Sequence, residues 1–361
     1  MGKQPFYKWK SFHLLLIVGV SALCMWLAMR PLLKDKEQWD AMVIAFQTAD
    51  YRTLPVIFLV LTVFYWLKAL RWRLLLAPTG DYRATRDLLP PVMIGFALNN
   101  TLPARIGEFV RCFVFSKKQK IPLFTSISSV VLERVFDAMA ILFLLAIGLL
   151  SVEGIDPDLK NKAYLVGVAI VVCLFGALIY VFRTKLFVRL FERILKAIPF
   201  IPHALTEKVC RLIEAGAAGL NSIRSWKLLT AIAAISLVKW ALNGSLIILS
   251  LWSFDLSISL PLVLCLLGAI AFFVAVPQAP GFFGVIQFAF TLVLGNFIPD
   301  KGALFAASIY YHLAQLVPVT IVGWLFLAVS GISLHEAKEK QEELEESESE
   351  DPPPFPVATL G

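Results

Sequence analysis

Glu133, Arg134 and Asp137 stand inside an apolar run of this 361-residue sequence. A charge near the centre of a membrane helix costs about 2.5–3.5 kcal/mol on insertion scales, so such groups face a partner or a wet cavity. Arg134 and Asp137 are three residues apart and can pair on one helix face. Glu133 and Asp137 are four apart, which puts two carboxylates on one stripe. One of them needs a further cation, for which Arg105 and Arg111 are the candidates. Two readings stay open: a structural ion network, or part of a binding site. An intramembrane hydrolase would also use paired carboxylates, but no nucleophile or metal-ligand set accompanies them.

A second cluster runs from Asn99 and Asn100 through Pro103, Arg105, Gly107 and Glu108 to Arg111. Pro103 removes a backbone donor and disfavours helix at Leu102. Gly107 permits a tight or left-handed backbone. Backbone groups freed at membrane depth must be buried in protein or face water. Arg105 and Arg111 could grip a phosphate, to which the planar guanidinium fork is suited. The alternative is an interfacial loop with snorkelling arginines. A third cluster combines Pro277, Pro280, Gly281 and Gly284 with Gln278 and Gln287. Two prolines and two glycines in eight residues break a helix. A helix restarting near Gly284 would aim its positive end inward, which favours an anion; small-residue packing is the competing reading. Tyr310, Tyr311, His312 and Gln315 lie in the last apolar run, ahead of Pro318.

The elements that carry these clusters are membrane helices. Hydrophobic residues make up 58% of the chain and charged residues 16%, against about a quarter charged in soluble domains. The sequence predicts an all-α, polytopic membrane bundle. Six full spans are expected near 12–29, 54–70, 123–150, 163–182, 228–252 and 303–330, with broken segments at 88–115 and 260–297. The first run follows Lys3, Lys8 and Lys10 as a secretory signal would, but Arg30-Pro31 replaces a small-residue cleavage site, so a retained helix is expected. The membrane domain is expected to cover 1–335, and the acidic, Pro-rich 336–361 to be a disordered cytoplasmic tail.

Charge sets the orientation. The chain carries +7 overall, of which the 336–351 segment contributes −7. The remaining excess lies in loops beside apolar runs, where it orients helices and attracts anionic lipid. It is no sign of nucleic-acid binding. The basic N-terminus, the Lys68, Arg71, Arg73, Arg83 and Arg86 group, and the connection 183–227 all point to the cytoplasm. Arg83 and Arg86 precede the 88–115 segment, and Lys117, Lys118 and Lys120 follow it. Both of its ends therefore want the same side, as in a re-entrant hairpin. With a cytoplasmic C-terminus, the 260–297 segment would enter and return from outside. Interrupted helices of opposite direction meeting near the midplane are the architecture of many secondary transporters; two proline-kinked helices are the alternative. Amphipathic surface helices are expected at 35–51, through Trp39, Met42, Val43 and Phe46, and at 206–220.

Nothing points to a soluble enzyme. There is no GxGxxG, P-loop or HExxH, the four histidines are scattered, and the five cysteines have no CxxC spacing. No metal, cofactor or disulfide is expected.

Taken in order, Lys68-Ala-Leu-Arg71-Trp72-Arg73, Asn99 through Glu108 with Arg111, Leu132-Glu133-Arg134 with Asp137, and Pro280-Gly281 with Gly284 resemble one family over about 12–330. It is the family of the lysylphosphatidylglycerol synthase transmembrane region, the flippase-like membrane proteins. The resemblance implies a bacterial or archaeal inner-membrane protein of six to eight membrane segments. Members move lipids between leaflets or accompany glycosyltransferases and other lipid-modifying enzymes; those that synthesise aminoacyl lipids add a soluble catalytic domain. This chain stops about 30 residues after its last expected span, so it is expected to be the membrane module alone. Three positions in two motifs depart from the family pattern. Phe282 stands at the second glycine of Pro-Gly-Gly-x-Gly, and Gln287 stands for a glutamate. In the last span His312 takes the place of an arginine.

The expectation is a non-enzymatic flippase-like protein handling a phospholipid or polyprenyl-phosphate carrier. Arg105, Arg111 and Arg134 would hold the phosphate, and Glu133 and Asp137 would position them. Pro103, Gly107, Pro277, Pro280, Gly281 and Gly284 would break the gating helices. The alternative is an accessory subunit of a glycosyltransferase or lipid-modifying enzyme.

Overall fold

The computed structural model describes residues 6–102, 106–153, 157–182, 193, 225–275, 279–332, 336 and 339. Every regular element among them is helical. The long helices are α1 (Phe6–Lys34), α3 (Thr53–Leu76), α6 (Leu123–Ser151), α7 (Pro157–Phe182), α8 (Trp226–Trp252) and α11 (Lys301–Ala328). The shorter ones are α2 (Lys36–Thr48), α4 (Leu89–Thr101), α5 (Ile106–Gln119), α9 (Leu260–Ala275) and α10 (Val285–Leu294). Each expected full span falls on one long helix, the last running slightly past the end of α11. Among the described residues, α3, α8 and α11 are long and apolar enough to cross a membrane, and 260–275 and 280–294 form shorter apolar helices.

Both broken segments fold as pairs of short antiparallel helices. In the first pair, Gly95 of α4 meets Gly107 of α5, while Leu88 and Val92 share a core with Cys112 and Phe115 near the base. A side chain on Gly107 would collide with the Gly95 carbonyl. This corrects the expectation that Gly107 breaks the helix. It lies in the first turn of α5, and its missing side chain serves close packing instead. Pro103 and Arg105 lie outside the described residues, between the end of α4 and the start of α5.

In the second pair, α9 and α10 pack through Leu266, Leu267, Phe290 and Leu294, with the Phe273 and Phe288 rings 5.4 Å apart. Pro277 lies outside the described residues. Pro280–Phe282 forms one 3-10 turn, with Gly281 at φ 75° and Gly284 at φ 88°, so both glycines occupy left-handed backbone. Phe282 does too, at φ 59°, at the position where the family pattern has glycine. For a residue with a side chain, that conformation costs roughly 1–2 kcal/mol.

The two breaks meet. A side chain on Gly281 would lie 3.6 Å from the Asn100 carbonyl at the end of α4. α11 runs beside both pairs. It packs on α4 where Gly323 faces the Met93 carbonyl and Ala97, and Asn100 Nδ2 donates to Thr320 Oγ1 at 3.0 Å. The expected amphipathic helix at 35–51 is α2. Gln38 there accepts from the amides of Lys301 and Gly302, satisfying free donors at the start of α11. The expected helix at 206–220 lies outside the described residues, as does most of 183–227 and the tail. Glu336 of the tail pairs with Lys117 at 2.6 Å.

Apolar and charged groups are distributed opposite to those of a water-soluble domain. Leu59 and Leu325 are 64% and 61% exposed, whereas Arg71 and Glu133 are 0% exposed. Lipid can accept the former; the latter must be satisfied within the protein.

Candidate functional site

Six charged side chains from four helices converge in the interior. α3 contributes Lys68 and Arg71, α5 Arg111, α6 Glu133 and Asp137, and α8 Lys239; all are buried. Glu133 and Asp137 project inward from one stripe of α6, as their spacing implied. Arg71 grips Asp137 with both terminal nitrogens, at 2.6 and 2.9 Å, and also donates to Ser236 Oγ at 2.8 Å. Lys239 pairs with the same carboxylate, and Trp240 Nε1 donates to it at 3.2 Å. Arg111 donates to Glu133 Oε2 at 2.6 Å. Lys68 and Arg71 approach Glu133 Oε1 at 2.7 and 3.1 Å as ion pairs without hydrogen-bond alignment.

Aromatic rings hold the cations in place. The Arg111 guanidinium lies 3.9 Å from the Trp72 ring centre, and Lys68 Nζ lies 4.9 Å from that of Phe96. Trp72 is itself anchored by a 2.8 Å donation to Ser129 Oγ. Cation–ring contacts gain strength when water is excluded.

The charges do not balance. Among the described residues four cationic side chains face two carboxylates, a formal excess of two positive charges in a buried cluster. The Nε atoms of Arg71 and Arg111 are buried and have no acceptor among the described residues. An excess of buried positive charge with spare guanidinium donors is the chemistry of an anion site. Among the described residues, no group of three His, Cys, Asp or Glu is placed to hold a metal ion.

Two expected features change. Arg134 does not pair with Asp137. It lies on the exposed side of α6 and pairs with Glu108 at 2.5 Å, because the carboxylate at 137 points inward while position 134 points out. Arg134 is therefore outside the buried cluster. Lys68 and Arg71, read from the sequence as cytoplasmic flanking charges, are buried members of it. Lys239 was missed, although a lone lysine midway along an apolar run was the available signal.

The second polar contact lies at the helix break. Gln287 Oε1 accepts from the Gly284 amide at 2.9 Å, and Gln287 Nε2 lies 3.2 Å from His312 Nδ1. Two of the three positions that depart from the family pattern, Gln287 and His312, thus touch. His312 packs against Phe283 with tilted rings 4.7 Å apart at their centres, and its Nε2 is buried without a partner among the described residues. Asn99 Oδ1 is likewise buried without a donor.

A helical membrane protein with interrupted helix pairs and an internal ion cluster is the class that this fold and site define. Its family follows from comparison: the lysylphosphatidylglycerol synthase TM region matches residues 14–323, and the chain belongs to that family. It is 26% identical over 319 residues to a protein named glycosyltransferase AglD from Haloferax volcanii, spanning 79% of this chain and 50% of that protein. Two UPF0104 membrane proteins of Methanocaldococcus jannaschii are also similar. MJ1078 is 25% identical, covering 63% of this chain and 91% of its own, and MJ1595 is 24% identical, covering 72% and 79%. The chain therefore spans only half of the glycosyltransferase-named relative. No solved structure matches it.

Proposed function

We propose that this protein binds an anionic membrane lipid and moves it between leaflets, as a non-enzymatic, multi-pass protein of a bacterial inner membrane. The observation that carries this reading is the buried cluster of Lys68, Arg71, Arg111 and Lys239, with its excess positive charge and two spare guanidinium donors. A phosphate entering it would supply the missing negative charge where low dielectric makes the attraction strong. Glu133 and Asp137 hold the cations in place and keep the site from becoming too positive when no anion is bound. The meeting of the two helix breaks at Asn100 and Gly281 supports a gate between the two helix pairs. Arg105, at the first break, remains a candidate for the phosphate path. Arg134, exposed and paired with Glu108, fits a surface role better.

The test is transbilayer movement of a fluorescent phosphatidylglycerol in vesicles containing the purified protein. Arg111→Gln is expected to slow movement by about tenfold or more, matching the loss of one charge-assisted contact of about 1.5–3 kcal/mol. Phosphatidylcholine should move more slowly than the anionic lipid. Unchanged rates for Arg111→Gln and Lys239→Met would overturn the reading.

A second reading has its own support, because the matched part of the AglD-named relative is half of a protein called a glycosyltransferase. In that reading this chain is a membrane subunit working beside a glycosyltransferase or lipid-modifying enzyme, and a polyprenyl-phosphate is the natural lipid. Lipid movement by the purified protein without any partner favours the first reading. Movement or glycosyl transfer seen only when such an enzyme is added favours the second.

A further inference from the structure

An apolar cavity of about 220 Å³ opens between α3, α4 and α11. Leu61, Met93 and Val319 form its buried floor, and Phe58 and Val322 its exposed rim. Pro318 lines it from within α11, where it supplies no backbone donor. The polar groups at its wall do not make it a water site. Thr62 returns its hydroxyl to the Phe58 carbonyl of its own helix at 2.8 Å.

A short run of packed side chains links the ion cluster to the cavity. Tyr65 lines it, the Tyr65 ring meets Phe96 with centres 5.3 Å apart, and Lys68 Nζ sits over the other end of that contact, 4.9 Å from the Phe96 ring centre. Tyr65 and Lys68 are also one turn apart on α3, on the same face of the helix. An apolar slot and a buried cationic site thus lie on either side of the Tyr65–Phe96 pair. Only an amphiphile complements both: an anionic head and a hydrocarbon chain.

We infer that the cavity between α3, α4 and α11 seats one acyl chain of an anionic phospholipid whose phosphate lies in the Lys68–Arg71–Arg111–Lys239 cluster. This inference deepens the lipid-handling reading and rests on it. The cavity holds part of one unbranched chain; a methyl-branched prenyl chain is bulkier per unit length and fits it less well. Transfer from lipid to the slot brings the chain no hydrophobic gain, so the seat depends on packing against Leu61, Met93 and Val319 and on the charge contact of the head.

The test uses the full-length protein in vesicles containing a trace of phosphatidylglycerol with a photoreactive diazirine midway along one acyl chain. After irradiation, adducts are mapped by mass spectrometry. Phe58, Met93 and Phe326 should be labelled well above Phe143 and Ile147, which are exposed on α6 away from the cavity. Phosphatidylcholine with the same chain should label the cavity less. Val319→Trp, which fills the slot with an indole ring, should lower cavity labelling about tenfold. Val322→Trp, at the rim, is the second variant should the first not fold.

Uniform labelling over all exposed apolar faces means annular lipid only and overturns the inference. Equal cavity labelling by the two headgroups overturns the link to the cluster. Cavity labelling by a diazirine-bearing polyprenyl phosphate, with none by the phospholipid, overturns the choice of occupant. The transport reading fails separately: charge-dependent cavity labelling, with lipid movement unaffected by Arg111→Gln, would keep the bound lipid and remove the movement.

Discussion

Asp137 carries more of the internal network than any other single side chain, since Arg71, Lys239 and Trp240 all converge on it. The charge imbalance makes the consequences of substitution unequal. Asp137→Asn leaves four cations facing one carboxylate and should destabilise the protein by about 3–5 kcal/mol, the usual cost of stranding a buried charge. Lys239→Met moves the cluster toward balance and should cost distinctly less. Thermal unfolding of the two variants in detergent checks the order; equal losses would mean that the imbalance is neutralised by something other than a bound anion. At the helix break, Gln287→Glu and His312→Arg should each lower stability, and the double variant should recover much of the loss. A coupling on the order of 0.5–3 kcal/mol is expected for side chains that touch, as these do at 3.2 Å; simple additivity would refute it. Much of this was readable in the sequence, because carboxylates such as Glu133 and Asp137 inside an apolar run require buried cationic partners, whether for structure or for binding. Lys68 and Arg71 were misread for a physical reason. A basic residue near the end of a span normally snorkels to the interface, but α3 continues to Leu76 and turns these two inward.

Among the elements, the interrupted pairs were the most legible, since prolines and paired glycines leave few alternatives to a break. What the sequence could not tell was which glycine bends the chain and which one lets helices touch. Gly281 and Gly284 have left-handed backbone, whereas Gly107 is helical and faces Gly95. The distinction depends on what lies across the interface, which no local pattern records. It also yields a prediction. Gly107→Val would drive its side chain into the Gly95 carbonyl and force α4 from α5. Such overpacking typically costs about 1–3 kcal/mol. Because Arg111 follows one turn later on α5, the Arg111–Glu133 contact should be displaced as well. The expected outcome is a lower unfolding temperature together with impaired lipid movement. A variant with wild-type stability and movement would show that the two helices are not held at this distance.

For the whole molecule, the lengths of the helices constrain how it lies in a bilayer. At 1.5 Å per residue, α4 and α5 are each about 20 Å long, short of the ~30 Å hydrocarbon core. They run antiparallel, so the start of α4 and the end of α5 share one side of the molecule. Arg83 lies just before that shared base and Lys118 near its other limb, and both are exposed. The basic residues around them agree on the cytoplasmic side. We propose that this helical pair enters from the cytoplasm and returns, a reading that the shared base and its basic residues both favour. The expected result is that Arg83→Cys and Lys118→Cys, each in a background without the five native cysteines, react with an impermeant maleimide only from the cytoplasmic face. Inverted and right-side-out vesicles, labelled in parallel, separate the two faces. Reaction at position 118 from outside, with position 83 reacting from inside, would make the pair a true crossing. It would then place the Asn100–Gly281 meeting point off the midplane and remove the opposed-gate arrangement that lipid movement needs.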